Sequence, residues 1–154
     1  MALIVLVSVG CDQATKQLAR TGLMGGGTRS IIDGILVLRY VENEGAFLSL
    51  GARLPRPVRI VAFIAFPLLI LGWIILSLAR DKETGWRVIL GFSCIAGGGF
   101  GNLIDRLLRG GRVSDFIILG IGSVRTGVFN LADLSVLIGC ALLLASPLTS
   151  RQKV

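Results

Sequence analysis

Four apolar runs, each long enough to be a helix, constrain this chain more than any other feature of its sequence. They cover residues 1–19, 58–79, 88–104 and 128–147, the second interrupted by Arg59 and Pro67. At a helical rise of about 1.5 Å per residue, the second and fourth reach across a hydrocarbon core of roughly 30 Å. The first and third need tilt, or polar residues at depth. Hydrophobic residues make up 53% of the chain and charged residues 16%, a balance that suits a bilayer better than water. Neighbouring helices can satisfy the backbone groups that Pro67 frees. The expected fold is an all-α membrane protein: one membrane-embedded domain over residues 1–154, with four transmembrane helices.

The connections carry a second pattern. Residues 31–40 are rich in β-branched and apolar side chains and are broken by Asp33 and Gly34, which reads as a short hairpin on the membrane surface. Residues 113–121 form another patch of strand character. The run ahead of Cys11 faintly resembles a cleaved leader, but no basic region precedes it and the small-residue pattern is poor. It is therefore read as a retained span.

Consecutive spans alternate direction, and this collects the polar residues on one side. Asp12, Gln13 and Lys16 lie toward the end of the first run, and Glu42, Asn43 and Glu44 in the first connection. Asn102, Asp105 and Arg106 end the third run; Asp115 follows in the next connection, and Asn130 and Asp133 open the fourth run. Asp12 and Lys16 are four residues apart, so they share a helix face and can pair. An ionisable residue costs about 2.5–3.5 kcal/mol at the centre of an inserted helix and less near the interface. Interfacial capping and snorkelling explain one or two such residues, but explain poorly a one-sided collection from three spans. Gly97-Gly98-Gly99-Phe100-Gly101 precedes Asn102. Its G-x-x-x-G spacing favours close approach of another helix, with substrate approach as the lesser reading.

The chain has no histidine, which excludes Ser-His-Asp and Cys-His catalysis and His-built zinc sites. Cys11, Cys94 and Cys140 sit in or beside apolar runs with no metal or disulfide spacing. No metal or organic cofactor is expected. The net charge of +7 lacks interleaved stacking aromatics, so it points to anionic lipid headgroups or topology signals and not to nucleic acid. What remains is carboxylate chemistry: two neighbouring aspartates share a proton, one activating water while the other polarises a carbonyl. Asp115 and Asp133 flank one connection and can meet. A Ser-Lys peptidase is weaker, because Lys16 is the only lysine on this side and no serine is evidently coupled to it. A proton or ion carrier using the same carboxylates, or a non-catalytic helix bundle, would also fit the residues.

Five blocks, in order, resemble the lipoprotein signal peptidases (signal peptidase II). Asp12-Gln13-Ala14-Thr15-Lys16 is similar to their D-Q-x-T-K, and Asn43-Glu44-Gly45-Ala46-Phe47 to N-x-G-A. The stretch from Gly98 to Arg106 is similar to G-G-x-x-G-N-x-x-D-R with one residue fewer between the glycines. Val113-Ser114-Asp115-Phe116 is similar to V-x-D-F, and Phe129-Asn130-Leu131-Ala132-Asp133 to F-N-x-A-D. Two loops depart from the pattern: a small residue usual before Phe47 is absent, and the connection from Asp105 to Asp115 is one residue longer. The resemblance implies four transmembrane helices with a small β element on the outer face. It also implies removal of signal peptides from diacylglyceryl-modified prolipoproteins, cut just before the lipidated cysteine. Carried onto this chain, it implies a catalytic pair, Asp115 and Asp133. Asp12, Lys16, Asn43, Asn102, Arg106 and Asn130 would be supporting or substrate-binding residues, and Asp105 structural.

The expected partners are prolipoproteins and membrane lipids, with the chain a monomer in the bacterial inner membrane. Eleven of the sixteen Lys and Arg lie on the motif-bearing side, so a plain positive-inside count would place the site in the cytoplasm. The family implies the reverse, with both termini cytoplasmic, and that orientation is the one expected here.

Overall fold

The computed structural model describes residues 1–46, 50–80 and 84–146. Phe47 of the second block, residues 81–83 of the charged connection and the expected end of the fourth run at Pro147 lie outside the described residues. Helix α1 (Ala2–Leu23) leads into strands β1 (Thr28–Ile32) and β2 (Leu36–Asn43). A long apolar helix follows, built from α2 (Arg56–Ile60), a π-helical turn (Val61–Ala65) and α3 (Phe66–Arg80). Then come helix α4 (Trp86–Leu108), strands β3 (Val113–Ile121) and β4 (Val124–Arg125), and helix α5 (Leu131–Leu144).

The local chemistry accounts for these boundaries. Pro57 sits in the first turn of α2, where its missing N–H costs nothing. Pro67 has no N–H to return to the preceding turn and its ring crowds the carbonyl there. The turn before it widens accordingly, and the Phe66 N–H bonds five residues back to Val61 O. Helix α4 runs beyond the expected residue 104 because its polar end finds partners on neighbouring elements. It stops at Gly110, whose φ of 62° lets the Gly111 N–H close back on Arg106 O at 2.8 Å.

Among the described residues, two helices, Arg56–Arg80 and Trp86–Leu108, are long and apolar enough to cross a membrane. The lengths thus depart from expectation in one direction each: the third run makes a full-length helix, whereas the fourth is shorter than its apolar composition suggests. Helix α5 has 14 residues, about 21 Å of helix. Its start is delayed because Phe129 is extended, trading backbone hydrogen bonds with Ile117 at 2.8 and 2.9 Å.

The four strands form one antiparallel sheet in the order β1-β2-β3-β4. The hairpin turn holds Gly34 at a φ of 73°, where the sequence places its break. Pairing of β2 with β3 sets Asn43 opposite Val113 and Val41 opposite Asp115. Asn43 and Asp115 are therefore diagonal neighbours on one face of the sheet. The sheet rests on the end of α1 through Ala19, Leu23 and Phe116.

Packing is inverted relative to a water-soluble domain. Asp12, Lys16, Asp105 and Asn130 are fully buried, while Leu3, Leu6, Leu69 and Trp73 are each more than 60% exposed. A polar interior inside an apolar surface is what a hydrocarbon solvent selects. Helix α4 is the hub, and its glycines explain how it serves as one. A Cβ on Gly97 would stand 2.5 Å from Ser8 of α1, and one on Gly98 would stand 2.2 Å from Ala132 O of α5. Gly91 and Gly139 are pressed together lower on the α4–α5 seam, each Cβ position within 3.0 Å of the other's carbonyl. Ser8, Ser135 and the Cys94 carbonyl complete that seam with hydrogen bonds of 2.8 and 2.9 Å.

Candidate active site

The sequence places the polar residues on one side; the fold brings them to one point. The deepest layer is ionic. The Lys16 ammonium lies 2.8 Å from Asp12 and 3.6 Å from Asp105, with all three side chains at most 1% exposed. Each carboxylate is satisfied further: Asp12 accepts from the Ala132 N–H at 2.9 Å, and Asp105 from the Ser114 N–H at 2.8 Å. Arg109 lies 3.4 Å from Asp105. Gln13 donates to Asp12, to Gly101 O and to Asp105 at 3.0–3.3 Å. A buried charge is tolerable only when paired and hydrogen-bonded in this way. The cluster ties α1 to the starts of β3 and α5 while using up the charge of Lys16.

Asparagine amides form the next layer. Lys16 donates to Asn102 Oδ1 at 2.9 Å, which leaves Asn102 Nδ2 to donate to Asp133 Oδ1 at 2.9 Å. Asn130 Nδ2 donates to Asp115 Oδ1 at 2.6 Å and to Asn102 Oδ1 at 3.2 Å. Asn43 Nδ2 donates to Asp115 Oδ2 at 2.9 Å, while its Oδ1 accepts from the Gly45 N–H at 2.8 Å. Asn130 and Asp133 also close a capping box at the start of α5, with the Asp133 N–H on Asn130 Oδ1 at 2.9 Å. Every oxygen of the two carboxylates is thus held by an amide N–H, and both groups are joined through Asn102 and Asn130.

Asp115 and Asp133 line one cavity of about 460 Å³, together with Asn43, Asn102 and Arg106. That volume falls within the roughly 300–1,000 Å³ of ordinary ligand clefts. The rest of the wall is apolar. Val136, Leu137 and Cys140 continue from Asp133 as one helical stripe of α5, about 10 Å along its axis. Pro67 and Gly99 face it from α3 and α4. Burial pushes the Asp115 carboxyl up to about 6, reinforced by the neighbouring Asp133 and opposed by the Asn43 and Asn130 amides. Arg106 forms part of the wall, donating to Gly45 O at 2.7 Å and, at 3.4 Å, to Asn102 O. The arrangement offers two linked carboxylates beside a cavity with a mostly apolar wall.

All eight residues singled out from the sequence lie in these layers. Asp12 and Lys16 stand behind the cavity wall; the other six line or adjoin it. The sequence reading passes over Ala62 and Phe63 of the π-helical turn and the α5 stripe, all of which line the cavity. The stripe had a signal, since positions 133, 136, 137 and 140 repeat at helical spacing. The π-helical turn had only Pro67.

Residues 4–149 match the family model for signal peptidase (SPase) II. The chain is 34% identical over 142 residues to a lipoprotein signal peptidase of Halothermothrix orenii, covering 92% of this chain and 90% of that one. It is 35% identical over 152 residues to one of Chlorobium phaeobacteroides, covering 94% and 85%. Against one of Leifsonia xyli it is 31% identical over 149 residues and spans 64% of that protein's length. Two solved structures, each described as a bacterial membrane enzyme, share the fold at 28% identity. Their TM-scores are 0.82 and 0.83, covering 99% and 97% of this chain and 93% and 92% of theirs.

Proposed function

Because the chain belongs to the signal peptidase II family, we propose that it is an aspartyl endopeptidase. In this reading it removes signal peptides from diacylglyceryl-modified prolipoproteins, with Asp115 and Asp133 as the catalytic pair. One observation carries it: two buried carboxylates from distant parts of the chain line the same cavity and are joined through shared asparagine amides.

The pair holds one proton between its two carboxyls, since like charges this close do not both ionise readily. The ionised carboxylate takes a proton from water, whose oxygen attacks the scissile carbonyl carbon. The protonated carboxyl gives its proton to the carbonyl oxygen, producing a neutral tetrahedral diol. Proton return to the nitrogen breaks the C–N bond and releases a carboxylic acid and an amine, and the pair regains its single proton. Asn43, Asn102 and Asn130 hold both carboxylates in register. Lys16, already neutralised by Asp12 and Asp105, orients Asn102 without placing a second cation in the cavity. Arg106 and Asn43 border the substrate backbone, and the stripe Val136-Leu137-Cys140 takes its apolar segment.

The proposed membrane arrangement has four transmembrane helices: α1, the composite α2–α3, α4 and α5. The sheet then lies on the outer surface of the inner membrane and both termini are cytoplasmic. The apolar exterior supports this arrangement, with the polar ends of α1, α4 and α5 meeting at the sheet.

The test is cleavage of a diacylglyceryl-modified prolipoprotein by the purified protein in detergent, beside the variants Asp115→Asn and Asp133→Asn. Signal-peptide release by the parent, reduced at least about a thousandfold in each folded variant, is the expected result. Undiminished cleavage by either variant overturns the assigned pair. No cleavage by a folded parent overturns the peptidase reading.

A further inference from the structure

A second, smaller cavity adjoins the first across Arg106 and Phe63, and the peptidase reading makes no use of it. Its volume is about 200 Å³, and its wall includes Arg56, Arg59 and Arg106 with Ile60, Ile64 and Leu107. Among the described residues, three arginines and no acidic residue line it. Arg106 faces the carboxylates of Asp133, Asp115 and Asp105 from the other side, so the charge left over lies toward Arg56 and Arg59. Arg59 is paired with Glu44, but Glu44 is shared with Arg112 at 3.0 Å. Arg106 is 8% exposed and, among the described residues, donates to the carbonyls of Asn102 and Gly45. Its buried Nε has no partner among the described residues, and its guanidinium lies 5.6 Å from the Phe63 ring centroid. The Arg56 side chain makes no hydrogen bond or ion pair among the described residues.

Position and shape narrow the ligand. The cavity lies where α2 begins and α4 ends, the level at which the proposed membrane arrangement puts the lipid headgroups. The volume is below the roughly 300–1,000 Å³ of clefts that enclose a whole small molecule, so it suits a headgroup whose remainder lies outside. Ile60 and Leu107 on its wall are 46% and 63% exposed, providing an apolar surface below the arginines. Guanidinium groups bind phosphate oxygens through paired N–H donors.

We propose that this cavity binds a phosphate group, supplied by an anionic phospholipid whose acyl chains run down the Ile60–Leu107 side. The lipid source rests on the membrane arrangement proposed above; the phosphate chemistry does not. Bound there, the singly charged phosphate pairs with Arg56 beside the wall that Arg106 shares with the larger cavity, and fixes that wall from the lipid side.

The test measures binding, so it does not depend on peptide cleavage. The full chain in detergent is titrated with dioleoylphosphatidylglycerol, dioleoylphosphatidylcholine or inorganic phosphate, and retained ligand is counted by native mass spectrometry. The same titrations are run on Arg56→Gln, Arg56→Lys and Arg87→Gln, the last on the opposite side of the protein. One phosphatidylglycerol should be retained in preference to phosphatidylcholine. Affinity should fall about fivefold to tenfold in Arg56→Gln, recover in part in Arg56→Lys and hold in Arg87→Gln. Millimolar inorganic phosphate that binds with the same dependence on Arg56, and displaces the lipid, would keep the phosphate site and replace its lipid source. Retention that is equal in the parent, Arg56→Gln and Arg87→Gln, or absent for all three ligands, overturns the proposal. Unchanged thermal midpoints of the variants exclude misfolding, because the Arg56 side chain is exposed.

Discussion

Asp115 shows at the scale of one residue how the site conflicts with stability. Its carboxyl is 2% exposed and is pushed from 3.8 to about 6, first by burial and then by Asp133, despite two amide donors. The fold therefore favours its neutral form. Below about pH 3 the group is protonated in both folded and unfolded chains and has little effect. Between 3.8 and about 6 the unfolded carboxyl ionises while the folded one keeps its proton, so stability falls by roughly 3 kcal/mol as pH rises through that window and levels off above about 6. Asparagine at this position avoids that ionisation but turns one amide donor toward Asn43 or Asn130, at a cost of about 1 kcal/mol. Asp115→Asn is accordingly expected to raise the unfolding midpoint at pH 8 while leaving it level or lower at pH 4. Thermal unfolding in detergent at the two pH values measures this. An equal effect at both would show that the carboxyl is not strained by ionisation. From the sequence, Asp115 and Asp133 flank one connection and can meet, but their pairing is implied by the family resemblance and not by spacing. The amide scaffold was legible only as isolated asparagines, since Asn43 meets Asp115 across 72 positions.

Helix α4 shows what determines an element. Its glycine run was readable as a packing surface, and the contacts bear that out: Gly97 admits α1, and Gly98 and Gly101 admit the start of α5. At Gly101 a Cβ would stand 2.5 Å from Asp12 Oδ2, so the close approach also lets the ionic cluster form. Gly98→Ala should cost about 1–3 kcal/mol by overpacking, because Ala132 O is backbone and cannot swing away. Gly10→Ala on α1 has nothing within 4 Å and should be neutral, or stabilising by up to about 1 kcal/mol from helix propensity. Denaturation midpoints of the two variants provide the comparison; similar losses would show that the α4–α5 seam has room to relax. The length of α5 was misjudged from the sequence for a related reason. Apolar composition reports where a helix is tolerated, but Phe129 bonds to Ile117 and Asn130 caps the next turn, so the helix begins later.

The distribution of polarity belongs to the molecule as a whole. Fully buried Asp, Lys and Asn behind an exposed surface of Leu, Ile and Trp invert the arrangement that water imposes. The proposed orientation puts the sheet and the connection after α3 on opposite sides of the bilayer. Arg39, on β2, and Arg87, at the start of α4, are both exposed. In a background without native cysteines, Arg39→Cys should react with an impermeant thiol reagent added outside intact cells. Arg87→Cys should react only after the membrane is opened. The reverse labelling would restore the orientation suggested by the arginine count, and labelling of both from outside would refute the spans.

Sequence alone determined the solvent, the one-sided placement of the polar residues and the absence of histidine chemistry. These follow from composition and from helical and strand periods, which act over a few residues. Tertiary structure alone decided that β2 and β3 pair, that Asp12 caps α5 from 120 positions away, and that Asn102 and Asn130 join two carboxylates at one cavity. Such contacts depend on how closely α4 lets its neighbours approach, and that distance is set by the packed assembly and not by any single segment.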